Sequence, residues 1–177
     1  MTGLASEIKS VIDKDIAQES VILRFIERLK MGSLTRDESP KTHFCAYFLP
    51  YNRAIRKVFI IHHKKSGLWL SPGGHIDKGE DLITTLNREI DEELGIKNKI
   101  TEKIKPFLLT ITPINNSMQP CKEHLDIWYR IPMNGKEINA NLREFHDSRW
   151  VVLSEARELI TDPPNLEALE KTEQILN

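Results

Sequence analysis

Cysteine is scarce in this 177-residue chain: only Cys45 and Cys121 occur, far apart in sequence and outside any CxxC pair. A disulfide framework is therefore excluded, and two reduced thiols are the plain expectation. Long apolar runs are also lacking. The first residues, Met1 to Lys9, carry no basic stretch leading into a hydrophobic one, so neither a signal peptide nor a transmembrane segment is expected, and the location expected by default is cytoplasmic. Charge of one sign is lacking as well. Lys and Arg number 25 against 26 Asp and Glu, a net charge of −1. No broad field draws in long nucleic acid or an anionic membrane. There is no internal repeat and no low-complexity segment. What is present is ordinary for a globular protein: 40% hydrophobic and 29% charged residues, in a length that suits one domain with a small extension.

Periodicity divides the chain. Leu4, Ile8, Val11 and Ile12, then Val21, Ile22, Phe25, Ile26 and Leu29, recur at steps of three and four, which predicts helix over 4–30. Gly32 and Thr35 to Pro40 read as a stop and a linker. Residues 1–40 are thus expected to form a helical extension and linker, and 41–177 the main domain. Strands are expected over 43–49, 57–62, 107–112, 124–131 and 149–153, with turns at 50–52 and 66–67 and a polar loop over 113–122. The strand over 57–62 is apolar enough to be buried on both faces. A helix is expected over 80–94, and short ones over 155–160 and 166–176, capped by Ser154 and Asn165. The order lacks regular βαβ alternation, which favours a mixed sheet between helices, an α/β fold.

One segment carries chemistry: Gly74-His-Ile-Asp-Lys-Gly-Glu80-Asp-Leu-Ile-Thr-Thr-Leu-Asn-Arg88-Glu89-Ile90-Asp-Glu92-Glu93-Leu-Gly95-Ile96. On a helix at 100° per residue, with Glu89 at zero, Glu92 falls near −60° and Glu93 near +40°. The three acids share a wedge of about 100° that overlaps the margin of the apolar face formed by Leu82, Ile83, Leu86, Ile90 and Leu94. Alone, an acidic run on a helix is usually a solvated face. Next to a core, however, such carboxylates repel one another and lose hydration. A divalent cation relieves both costs, and Mg²⁺ favours oxygen ligands while keeping positions for water and phosphate. Gly73, Gly74 and Gly79 let the backbone bend tightly and approach a ligand. Gly95 is the expected helix stop. Arg88 is placed to orient Glu80 or Glu89.

The spacing Gly-x5-Glu-x7-Arg-Glu-apolar-x-Glu-Glu-x-Gly-apolar resembles the Nudix box at every position, and Trp69 to Gly74 resembles its usual lead-in. The resemblance implies an α/β/α sandwich with a mixed sheet and hydrolysis of a diphosphate linkage in a nucleotide-like substrate; the near-neutral charge favours a small substrate over long nucleic acid, and no membrane partner is expected. It implies Mg²⁺, or Mn²⁺, as cofactor, with Glu89, Glu92 and Glu93 as metal ligands. Gly74, Glu80, Arg88 and Gly95 become structural residues of the box. The general base is expected to be Glu89, Glu93 or the outlying Glu144. His62, His75 and Asp126 are candidate substrate contacts, although His62 to Lys65 also reads as a solubilising turn and Asp126 as the polar face of an edge strand. Trp128 and Tyr129 are expected to pack. A homodimer, with the 4–30 helix as interface, is an expectation of the same kind. Two alternatives share the fold. An isopentenyl-diphosphate-type isomerase needs a cysteine and a glutamate, and Cys45 lacks a matching motif. A non-catalytic nucleotide sensor would be expected to lose box glutamates, and none is missing.

Overall fold

A computed structural model describes residues 3–115, 120–133 and 138–176, so part of the expected 113–122 loop lies outside the described residues. The elements in order are α1 (Gly3–Val11), α2 (Glu19–Met31), β1 (Thr42–Asn52), β2 (Lys57–His63), β3 (Trp69–Leu70), β4 (Gly73–His75), α3 (Leu82–Leu94), β5 (Leu108–Pro113), β6 (Glu123–Pro132), β7 (Phe145–Val151), α4 (Leu153–Leu159) and α5 (Pro163–Leu176). The strands form one mixed sheet in the order β3-β2-β1-β6-β5, with β4 paired to β1 and β7 to β2. Only β1 and β6 are parallel.

Alternation along β1 sorts the layers. Phe44, Ala46 and Phe48 join one core with Ile8, Phe25, Leu82, Leu86, Ile90 and Leu94, so α1, α2 and α3 cover that face. Leu49 packs with Ala156, Leu169 and Leu176, and Tyr47 with Ala168, which puts α4 and α5 on the other face. The result is the expected α/β/α sandwich. Among the described residues no helix is long and apolar enough to cross a membrane.

The single helix expected over 4–30 is two helices. The Asp13 carboxylate accepts from Asp15 N at 3.0 Å, a local turn that competes with helix, and the Ile16 carbonyl accepts from Leu109 N at 3.0 Å. The extension packs on the domain: Ile8 and Phe25 are wholly buried, and Glu7 Oε2 accepts from Leu82 N, the first amide of α3. Buried Arg28 donates to the carbonyls of Gly32, Ser33 and Thr42, which fastens α2 to the start of β1.

Other boundaries move for local reasons. The turn expected at 50–52 lies at 53–56, because Asn52 Oδ1 accepts from Ala54 N and Ile55 N while Pro50 continues β1 opposite Ile131. The last strand starts earlier, at Phe145. Ser154 does not cap α4; Val152 holds that position without a side-chain bond. Asn165 does not begin α5 either. It lies in the first turn, where its Oδ1 accepts from Ser71 N at 2.7 Å and its Nδ2 donates to Asp162. Val58 to Ile61 on β2 are buried, as expected.

Candidate functional site

The helix that carries the acids is fixed at both ends. It starts at Leu82 rather than residue 80, since the Asp81 carboxylate accepts from Thr84 N at 2.7 Å. It stops at Gly95, left-handed with φ 70°, whose N–H donates to Asp91 O and Ile90 O. Leu82, Leu86, Ile90 and Leu94 are buried, and so are Glu89 at 8% exposure and Glu93 at 4%. Glu92 is the open member, its side chain 54% exposed. The helix therefore turns two of its three clustered acids into the interior and leaves the third at the rim.

Arg88 is the hub. Its Nε donates to Glu80 Oε1 at 2.7 Å and its Nη2 to Glu80 Oε2 at 3.0 Å, a forked pair. Nη1 donates to Glu89 at 2.8 Å and to Glu92 at 3.1 Å, and Nη2 also reaches the His75 carbonyl at 2.8 Å. Glu80 accepts further from Thr85 Oγ1 and Asp77 N. Burial pushes the Glu80 carboxyl up, but these donors together hold it below its ordinary value. The hydrogen bond from Arg88 to Glu80 raises the guanidinium in turn.

The balance leaves negative charge over. One guanidinium faces Glu80, Glu89 and Glu92, while among the described residues Glu93 receives only the Gly73 N–H, at 2.7 Å. Burial pushes Glu89 up to about 7 despite Arg88. Burial, with the charge of Glu89 added, pushes Glu93 well above the usual carboxylate range. The structure brings Glu144 beside the box helix, where one side-chain amide bridges it to the Glu92 carbonyl. Asn141 holds it there, donating to Glu144 Oε1 at 3.0 Å and to the Glu92 carbonyl at 3.1 Å. The sequence reading missed Asn141; its place in a loop gave no signal. Buried carboxylates crowded in this way are groups that could hold a hard cation in place of protons.

The glycine pair makes room for the acids. A Cβ on Gly73, whose φ is 132°, would stand 2.6 Å from Ala46 O and Tyr47 Cα, so that strand approach tolerates no side chain. The three heavy atoms nearest a Cβ on Gly74 all belong to the Glu89 carboxylate, the closest at 2.5 Å, the far end of a side chain and not backbone. Gly74→Ala is therefore expected to leave the melting temperature nearly unchanged while raising the divalent-ion concentration needed for half-maximal activity. An unchanged requirement would separate Gly74 from the seating of Glu89.

Of the remaining candidates, His62 stands apart, whereas His75 and Asp126 flank Cys45 on the strands either side of it. His62 stacks on Trp69 with ring centroids 5.1 Å apart and its Nε2 lies 3.1 Å from Gly67 O. His75 lies among His43 and His124. Asp126 is not on an edge strand: β6 runs between β1 and β5, and Asp126 is wholly buried. Its Oδ2 accepts from Thr110 and Thr112, its Oδ1 has no partner among the described residues, and burial pushes it up to about 7. Trp128 and Tyr129 pack as expected, both 1% exposed, with Trp128 stacked on Tyr47 and donating to Thr110.

The arrangement can be set beside known proteins. The family model described as NUDIX domain matches residues 41–171. An RNA pyrophosphohydrolase of Pelagibacter ubique is 26% identical over 135 residues, covering 68% of this chain and 85% of its own. A probable DHNTP pyrophosphohydrolase of Lactococcus lactis is 26% identical over 137 residues, covering 76% and 80%. Among solved structures, a NUDIX-family hydrolase from Clostridium perfringens superposes with a TM-score of 0.59 at 21% identity, over 76% of this chain and 98% of that one.

Proposed function

This chain belongs to the Nudix hydrolase family, and we propose from that premise that it cleaves a diphosphate linkage in a small nucleoside-diphosphate derivative, with Mg²⁺ or Mn²⁺ held by Glu89, Glu92 and Glu93. The observation that carries the proposal is the pair of buried carboxylates, Glu89 and Glu93, which the single Arg88 guanidinium does not balance. An all-oxygen donor set with two buried members and one at the rim fits Mg²⁺, which keeps waters and phosphate oxygens in its remaining positions.

Bound there, the divalent ion would offset charge on the diphosphate oxygens and make a water molecule more acidic. The chain's own residues do the rest. Glu89, oriented by the Arg88 guanidinium at 2.8 Å, serves in this reading as acceptor of the attacking water's proton. Glu93 is fixed by the Gly73 amide, and Glu144 stands by as an alternative acceptor, held by Asn141. Arg88 touches no substrate in this scheme. It positions Glu89 and Glu92 and ties them to Glu80 and the His75 carbonyl.

The test is a panel of ADP-ribose, nucleotide sugars, oxidised nucleoside triphosphates, dinucleoside polyphosphates, CDP-alcohols, triphosphorylated RNA ends and isopentenyl diphosphate, with Mg²⁺ or Mn²⁺ and products identified by mass. The proposal expects water-dependent scission between two phosphorus atoms in at least one small nucleotide. Saturable binding without scission would leave a sensor, and isomerised isopentenyl diphosphate would replace hydrolysis with isomerisation.

A pH dependence follows from Glu89. Its carboxyl rises from an ordinary 4.5 to about 7 in the fold. The folded state therefore holds this proton more tightly than the unfolded chain, and acid favours folding. That stabilisation is complete below 4.5 and is lost as pH rises through about 7. Divalent-free protein is expected to melt at a lower temperature at slightly alkaline pH than at mildly acidic pH, and Mg²⁺ is expected to narrow the difference. Thermal melts of wild type and Glu89→Gln check this: the variant, neutral at that position throughout, should lose Glu89's share of the difference and keep the share of Glu93 and Asp126, and an unaltered difference would contradict the assignment.

A further inference from the structure

A second set of donor side chains occupies the α4/α5 side of the sheet, and strand geometry assembles it. β1 and β6 run parallel with His43 beside His124 and Cys45 beside Asp126, while β4 places His75 opposite Cys45. Residues two apart on a strand share a face. His43, Cys45 and His124 thus project the same way, and His75 joins them through its pairing. One nitrogen or sulfur from each of the four lies within 4.8 Å of all the others. His75 Nε2 and His124 Nε2 are 3.3 Å apart. The Cys121 thiol lies 4.0 Å from Nε2 of both His43 and His75, on the same side.

Hydrogen bonding accounts for only part of the cluster: His75 Nε2 and His124 Nε2 stand at hydrogen-bond distance, but His124 Nδ1 has no partner among the described residues. The Ser39 carbonyl, 2.9 Å from His43 Nδ1, can only accept, so Nδ1 carries the proton and Nε2 turns a lone pair toward the other rings. That is how a ligating imidazole is oriented by an outer carbonyl. His124 Nδ1 is buried without a partner among the described residues. Burial keeps the rings uncharged, lowering His75 to about 3 and His124 to about 4. Three neutral imidazoles and a thiol, gathered in the interior with so few partners, cost stability that apolar residues at the same places would not.

We propose that His43, Cys45, His75 and His124 form a binding site for Zn²⁺, distinct from the box glutamates. Three imidazole nitrogens and one sulfur suit tetrahedral zinc, whereas Mg²⁺ takes oxygen. Two nitrogens each about 2.0–2.1 Å from a tetrahedral ion stand about 3.3 Å apart, and His75 Nε2 and His124 Nε2 already stand at 3.3 Å. On binding, Cys45 ligates as thiolate and its proton leaves to solvent. The ion joins β1, β4 and β6. β4 is three residues long and pairs only with β1; it carries the Gly73 amide that holds Glu93, the Gly74 that faces Glu89, and the His75 carbonyl that Arg88 grips. Zinc here is therefore a positioning element for the strand on which the acids rest.

Protein purified without chelators is expected to contain one zinc per chain by elemental mass spectrometry. Cobalt-substituted protein is expected to show the intense visible bands of a tetrahedral site and a sulfur-to-cobalt charge-transfer band. Cys45→Ser should abolish that band, His124→Gln should release the metal, and Glu92→Gln should retain it. Removing zinc should lower the melting temperature. Zinc-free protein that takes up cobalt only with weak octahedral bands would overturn the site, as would zinc retained by a Cys45→Ser/His124→Gln double variant. The wild-type cobalt spectrum decides the matter even where a variant fails to fold.

Discussion

Glu93→Gln is expected to lower turnover by about 10²–10⁴-fold, the range that a positioned acid–base or charge-bearing group supplies, while raising the melting temperature of divalent-free protein at alkaline pH, where the buried carboxyl is driven to ionise. The two effects have opposite signs for one reason. Glu93 is 4% exposed, repelled by Glu89, and compensated only by the Gly73 amide. Glutamine keeps the volume and an acceptor for that amide but removes the buried charge, so the fold gains what the site loses. Steady-state kinetics and thermal melts on the same preparation check both halves. Wild-type turnover in the variant would take Glu93 out of the mechanism. A lowered melting temperature would mean that the carboxylate stabilises the fold.

Arg88→Ala is expected to destabilise the protein by about 2–4 kcal/mol, toward the lower part of the range for breaking a buried ionic network because the guanidinium is partly exposed. Removing it leaves Glu80, Glu89 and Glu92 without their cation and the His75 carbonyl without its donor. Glu80 suffers most, since burial works against its charge and the Arg88 bonds offset this. Arg88→Lys should recover only part of the loss, because an ammonium cannot make the forked pair with Glu80 while reaching Glu89 and Glu92. Denaturant unfolding with and without Mg²⁺ measures the difference. Equal stability of Arg88→Ala and wild type would mean the network carries no net weight.

The acidic helix was legible because everything that shapes it is local. The apolar steps from Leu82 to Leu94, the stop at Gly95 and the wedge of Glu89 and Glu93 all follow from helical period and backbone freedom. Even there the start was misplaced, since residues 80 and 81 fit the period and only the Asp81 cap bond sets the boundary. Features set by distant partners were hidden. The break after α1 depends on Ile16 O meeting Leu109 N, and Asn165 looked like a cap because its partner, Ser71 N, lies far away in sequence. Asp126 read as an edge residue because the order of strands in a sheet is not a local property. The histidine–thiol cluster was the largest omission. Its signal was slight, a His-x-Cys alternation at 43 and 45, and the other donors arrive from β4 and β6 through strand register alone.

The central claim is that the carboxylates of Glu89, Glu92 and Glu93 converge on one divalent ion beside the diphosphate. Anomalous diffraction from a crystal soaked with Mn²⁺ and a non-hydrolysable nucleoside diphosphate analogue tests it most directly. The account predicts a manganese peak bounded by those three carboxylates, with a phosphate oxygen among its other ligands. Manganese found elsewhere, with the three side chains turned away from both metal and phosphate, would contradict it.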